Sequence, residues 1–272
     1  MPFQAGNTIT IGVGAHVRIV GASIVGSSAG SAISCGPADA SATPVPTLDL
    51  DDVNIDSAGF VIFAYPCIIT ARKSHFKGVE YPGIFVASPA KATIDRCVFD
   101  GRGIEALGPS ALVRVTNSLF INQISNGEPS DPGPIGGNQF GTDAPGSAYV
   151  SFSTFVNTNI LCGAITPACA GGNGNGVCVD NSIVTSTSGD AIRGAGCRVS
   201  YSIAMPQAAA LVGTNNLVNV DPLFVGGASY GLKSSSPAVD AADPNAVDSI
   251  DLAGTLRPQG PRSDIGAYEY KP

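Results

Sequence analysis

Charge is scarce in this chain of 272 residues: 13% of it is Asp, Glu, Lys or Arg, against 34 glycines and 20 prolines. Surface helices need a solvent face rich in Lys and Glu, so the scarcity excludes a predominantly helical protein. Short runs of Ala, Val, Ile, Ser, Thr, Asn and Gly suit strands and tight turns instead. Tryptophan is absent, and histidine is confined to His16 and His75, so no cysteine pair has the His partners of a metal site. No apolar run approaches the ~20 residues that span a bilayer. No signal peptide precedes the strand-like pattern that opens almost at Met1, and the chain is read as a mature or truncated form. A formal charge of −7 argues against nucleic acid as a partner.

What is present is a repeat. An apolar residue, two polar or small residues, usually a serine, any residue and a second apolar residue recur at 20–25, 71–76, 94–99, 115–120, 150–155, 179–184 and 199–204, with 50–55 a looser copy. The third-column residues (Ser23, Val53, Ser74, Cys97, Ser118, Ser153, Ser182, Ser202) are 30, 21, 23, 21, 35, 29 and 20 residues apart. The short spacings match one coil of a solenoid and the long ones a coil plus a loop. Stacked parallel strands align equivalent positions, which predicts an interior ladder of Phe76, Phe99, Phe120 and Phe155. The serine column, Ser23 included, should mark a bend where hydroxyls satisfy backbone groups. The expected fold is all-β: a right-handed parallel β-helix of about eight to ten coils over 1–212, with 213–272 an irregular C-terminal cap that covers the last coil and blocks its edge.

Three excursions interrupt the coils, at 36–47, 126–147 and 159–176, the last two rich in Gly and expected side by side on the stack. Their polar residues Asn126, Glu128, Asp131, Asn138, Asp143, Asn173 and Asn175 are candidates for binding a ligand. The seven cysteines fit export: Cys162 and Cys169 flank one loop, Cys178 and Cys197 lie on successive coils, and Cys35 with Cys67 is a third pair, which leaves Cys97 as a buried thiol.

The ending carries a resemblance. Asp221-Pro222-Leu223-Phe224, Ser236-Pro237-Ala238-Val239-Asp240, Arg257-Pro258 and Asp264-Ile265-Gly266-Ala267-Tyr268-Glu269-Tyr270 resemble the C-terminal segment of bacterial right-handed parallel β-helix proteins of the choice-of-anchor Q type, with a pectin-lyase-like fold. The matched positions span about a fifth of the chain and are structural in that resemblance. It implies a secreted or surface-displayed protein and specifies no reaction.

Residues 72–114 hold seven of the fourteen Lys and Arg against four acids, leaving the remainder at −10. The repeat register stacks Arg72 over Asp95, Lys73 over Arg96 and Lys77 over Asp100. Two readings stand. In the first the band is a ladder of alternating surface charges, and the protein is a non-catalytic binder of a polysaccharide or cell-surface component through its loops. In the second, suggested by the resemblance, Lys73, His75, Lys77, Arg96 and Arg102 serve a polyuronate lyase or epimerase, neutralising a sugar carboxylate and exchanging the proton beside it. Glycoside hydrolysis by paired carboxylates is disfavoured, because Asp51 with Asp52 and Asp180 with Asp190 lack the strings of the polygalacturonases. Neither histidine has a serine-nucleophile context. No cofactor is implied. Calcium is possible at Asp221, Asp240, Asp243, Asp248, Asp251, Asp264 and Glu269, against a reading in which these acids cap turns and Asp264 pairs with Arg257 or Arg262.

Overall fold

A computed structural model of the protein describes residues 8–26, 30–36, 41, 43–57, 59–78, 83–101, 103–108, 110–122, 146–162, 176–187, 189–194, 197–227 and 229–272, and the backbone of 135–137. It is a parallel β-helix. Each coil contributes one strand to each of three parallel sheets, and the strands stack in chain order. Coil 3 shows the pattern: Phe60–Ala64 in the first sheet, Ile68–Arg72 in the second, His75–Gly78 in the third. Eight such coils run from Ile9–Ile11 to Ile203–Met205, and Leu217–Val218 adds a partial ninth to the third sheet. Among the described residues there is no helix.

The bend between the second and third sheets is the same two residues long in every coil. Its first residue has positive φ throughout: Gly21, Asp52, Lys73, Arg96, Asn117, Phe152, Asn181 and Tyr201 lie between 45° and 59°. Glycine and asparagine tolerate this left-handed conformation; Lys, Arg, Phe and Tyr adopt it because the flanking strands are fixed above and below. The second residue is the serine column. Ser118 Oγ accepts from Cys97 N–H (3.1 Å) and donates to the Thr116 carbonyl (2.7 Å). Ser74, Ser153, Ser182 and Ser202 do the same in their coils. Each hydroxyl thus stitches its coil to the preceding one at the point where the sheet ladder is interrupted. Ser23 does not belong to this column. It pairs in register with Asn54, and Ile24 with Ile55, because the bend of coil 1 is Gly21-Ala22 and Ser23 already opens the third-sheet strand.

Inside, Phe76, Phe99, Phe120 and Phe155 form the expected ladder, with centroids 5.0, 4.6 and 4.3 Å apart, all fully buried. A second column runs up the first sheet, where Ile9, Ile33, Ile62, Ile84, Ile104, Ile135, Ile160 and Ile192 are in register, one per coil. Two of the expected excursions contain first-sheet strands, Ile135–Gly137 and Ile160–Leu161.

Disulfides join Cys35 to Cys67 and Cys162 to Cys197, with Cα atoms 5.7 and 5.4 Å apart. The first pair is as expected; the second replaces both other pairings. Cys197 is in register with Val177, not Cys178. Neighbouring strand residues face opposite sides, so Cys197 points into the core while Cys178 points out. Cys178 is also disulfide-bonded. Cys97, the free thiol among the described residues, is buried in the serine column and donates to the Asp95 carbonyl. Burial pushes its pKa up to about 12.

The chain after coil 8 has two parts with different tasks. Residues 206–219 close the stack. Gln207 accepts from Ile192 N–H (2.9 Å) and donates to the Ile192 carbonyl (3.1 Å), so one side-chain amide replaces the next strand of the first sheet. Asn216 accepts from Ser202 N–H and donates to the Val199 carbonyl, and Asn219 bonds both backbone groups of Gln207. Of the expected cap over 213–272, residues 214–219 bond the last coil, and residues 221–272 pack on the side of the stack. They run back along the outer side of the third sheet. Leu232, Ala238, Ala242 and Ile265 pack with Phe152, Ile183 and Ile203, and side-chain contact extends to Asn117 in coil 5. The reason lies in the third sheet, whose outward residues Leu119, Ile183 and Ile203 are apolar in the later coils and need cover.

Candidate functional site

The three corners of the coil differ. The bends between the second and third sheets never vary, whereas the connections flanking the first sheet run from two to fourteen residues. All the length variation therefore borders one face. Along it, Ser34, Phe63, Phe85 and Glu105 follow one another in register on coils 2 to 5. The Phe63 and Phe85 rings are stacked at 5.2 Å and 11°, with Phe60 edge-on to both at 5.8 Å. Both stacked rings are half-buried, and Glu105 beside them is buried. Such an aromatic pair can pack against the apolar face of a sugar ring.

This face was not singled out from the sequence. Its signal is a short one, Ile followed two residues later by a small apolar residue: Ile33-Ser34-Cys35, Ile62-Phe63-Ala64, Ile84-Phe85-Val86, Ile104-Glu105-Ala106. The intervening residue is the outward one.

The basic residues lie elsewhere. Lys73 and Arg96 are the first residues of successive second-to-third bends, at the one corner the first sheet does not touch. The expected register holds: Arg72 lies beside Asp95, and Lys77 beside Asp100. Arg96 Nε donates to Asp95 (2.9 Å), which also accepts from Thr116 (3.1 Å) and Asn117 (3.4 Å). Lys77 pairs with Asp56 at 3.5 Å and Arg18 with Asp51 at 3.9 Å. Arg72 stands in register between Asp51 and Asp95. His75 sits between Asn54 and Val98 on the third sheet, and its Nε2 is buried without a hydrogen-bond partner. The structure thus brings Lys73, His75, Lys77 and Arg96 onto neighbouring coils, but each of Lys77 and Arg96 already has its own carboxylate. Arg102 lies outside the described residues, as do Asn126, Glu128, Asp131, Asn138, Asp143, Asn173 and Asn175.

Several other carboxylates have structural partners. Asp190 accepts from Ala208 and Ala209 N–H, bonds that hold its carboxyl below the ordinary value. In the C-terminal segment, Glu269 accepts from Arg257 (2.9 Å), Asp264 N–H and Gln259 N–H. Arg257 also donates to the Asp264 and Gly266 carbonyls and lies 4.8 Å over the Phe152 ring. Its carboxylate partner is therefore Glu269, not Asp264, which instead accepts from Asp240 and Tyr270 N–H. Arg262 donates its own N–H to Asp240. Among the described residues no three His, Cys, Asp or Glu side chains are grouped to hold a metal ion, so calcium has no assembled site there. No family model matches the chain, and no curated protein or solved structure matches it either.

Proposed function

We propose that this protein is an exported, non-catalytic β-helix that binds a glycan or a surface component along the outer face of its first sheet. The observation that carries the reading is the confinement of all length variation to the connections bordering that face. A scaffold held constant at one corner and varied at the other two has the arrangement of a rigid support presenting a recognition surface. The half-buried Phe63–Phe85 stack supplies contact chemistry suited to a carbohydrate. The ion-paired state of Arg96 and Lys77 favours a charge ladder over a lyase or epimerase centre. Disulfides between buried cysteines are compatible with an extracellular location, and the likeness of the ending to choice-of-anchor Q proteins makes a bacterial cell surface the proposed address.

Glycan-array binding compared between the parent chain and a Phe63→Ala/Phe85→Ala variant tests this. Loss of a parent signal by at least tenfold in a variant with unchanged circular dichroism is the expected result. A signal that survives both substitutions would place recognition elsewhere.

A further inference from the structure

We propose that two copies of this chain pair head to head through their first coils, about a two-fold axis at Arg18, so that the open end of the solenoid is a dimer interface.

The two ends of the stack are finished differently. At the far end the side-chain amides of Gln207 and Asn216 bond the backbone of the last strands. At the near end nothing among the described residues closes the strands Ile9–Ile11, His16–Val20 and Ser23–Val25 in that way. The Ala15 carbonyl accepts from Thr47 N–H (2.9 Å) and Gly21 N–H donates to the Asp51 carbonyl (3.1 Å), so alternate residues from 15 to 21 bond coil 2. The N–H and C=O groups of His16, Arg18 and Val20 therefore point out of the end of the stack. The core is open there too. Val17 and Ile19 are half-buried, whereas Leu48 and Leu50, in register with them on coil 2, are 0% and 1% exposed. Val13, Val20 and Val25 are exposed around the rim.

A second copy fits this end because the coil is its own complement. Its strands of three, five and three residues have the same lengths read in either direction. A two-fold axis at Arg18 thus lays His16–Val20 antiparallel on its own copy, and Ile9–Ile11 on the copy's Ser23–Val25. In that register His16, Arg18 and Val20 face Val20, Arg18 and His16 of the copy, and the outward backbone groups of the strand meet one another. On the inner side Val17 meets Ile19, which continues the apolar column across the joint. None of the three strands holds a proline or an inward-pointing charge, two of the usual guards of a free edge. Arg18 turns outward and has Asp51 at 3.9 Å as its own counter-charge, which offsets the meeting of two arginines at the axis. Residues 8–26 come close to the ~20 residues a side of a small stable interface.

Sedimentation equilibrium of the full chain measures the assembly. A species of twice the 27.3 kDa chain mass is expected. Val17→Asp/Ile19→Asp, which sets carboxylates into the apolar joint, should raise its dissociation constant about tenfold or more. An oxidised Arg18→Cys variant should run as a disulfide-linked dimer, because facing Cα atoms at the axis lie about 5.5 Å apart, within disulfide reach. Thr93→Cys, in the same column on coil 4, should stay unlinked. Should the double variant fail to fold, the cross-link decides. A monomer at every concentration, a dimer indifferent to Val17→Asp/Ile19→Asp, no linkage through Arg18→Cys, or equal linkage through Thr93→Cys overturns the proposal.

Discussion

The solenoid and the segment lying along it solve the same burial problem by opposite means. In the coils, order comes from repetition: apolar ladders inside, a serine in five of the eight bends, charges turned outward in alternation. In residues 221–272 nothing repeats. There the interior is polar, with Arg257, Glu269, Asp264 and Asp251 all buried and held by named backbone or side-chain partners. Stacked coils share their stability with neighbours, so damage should spread. A polar network stands or falls as a unit, so damage should stay local but be severe.

Two substitutions of similar cost separate these behaviours. Phe120→Ala removes the middle of the aromatic ladder, whose neighbours lie 4.6 and 4.3 Å away, and should cost about 3–5 kcal/mol. Arg257→Ala strands Glu269 without its cation in a fully buried site and should cost about as much, roughly 3–5 kcal/mol. Urea unfolding measures both totals, and hydrogen exchange tells them apart. Phe120→Ala should lower protection in coils 4 to 6 together, whereas Arg257→Ala should open the segment and leave coils 2 to 4 protected. If Arg257→Ala instead loosens the early coils, the segment is part of the solenoid's cooperative unit.

The segment's polar interior also makes it the pH-dependent region. Burial pushes the Asp264 carboxyl up to about 6 against two backbone hydrogen bonds that favour its charged form. Its folded pKa exceeds the unfolded one, so the contribution to stability is full below about pH 4 and is lost as pH rises through about 6. The expected loss is at most about 3 kcal/mol. Asp264→Asn lowers the baseline by removing an acceptor, but the urea midpoint should then change less between pH 4.5 and 7.

How much of each region is legible in the sequence follows from the same contrast. Where position dictates chemistry every twenty-odd residues, the Phe ladder, the serine hydroxyls and the Arg72–Asp95 register can be read directly from the spacing. The misreading of Ser23 shows the limit: the bend is defined by backbone conformation, and in coil 1 it is Gly21 that supplies it. Cys178 and Cys197 look adjacent by count, yet a one-residue offset turns them to opposite sides. The Phe63–Glu105 face escaped notice because first-sheet strands are short and separated by connections of unequal length. In the segment no spacing exists to exploit. The partnership of Arg257 with Glu269, and the path back along the third sheet, depend on packing between residues more than a hundred apart, such as Thr154 and Ala267.

Within the solenoid, the stitching of the bend should matter less than the ladder it accompanies. Ser153→Ala leaves the Ser118 amide unpaired at a buried position and removes the bond to the Ser151 carbonyl. About 1–3 kcal/mol is expected in urea unfolding. A loss as large as that of Phe120→Ala would mean that the bends, rather than the apolar columns, fix the coil.

The smallest effect belongs to the charge ladder. Lys77 and Asp56 are both more than half exposed, so solvent screens their attraction and holding two side chains in one geometry offsets part of it. Lys77→Ala should cost under about 1 kcal/mol and respond to added salt. The same variant bears on function. A lyase or epimerase using the band would lose activity on polyuronates with Lys77→Ala while keeping its stability, so any unsaturated-uronate absorbance that the parent produces and the variant lacks would move the functional site to this corner. On the present geometry neither protein should produce it. Lys77 faces its own aspartate rather than an open position where a sugar carboxylate could lie, and its loss should leave recognition at the first sheet unchanged.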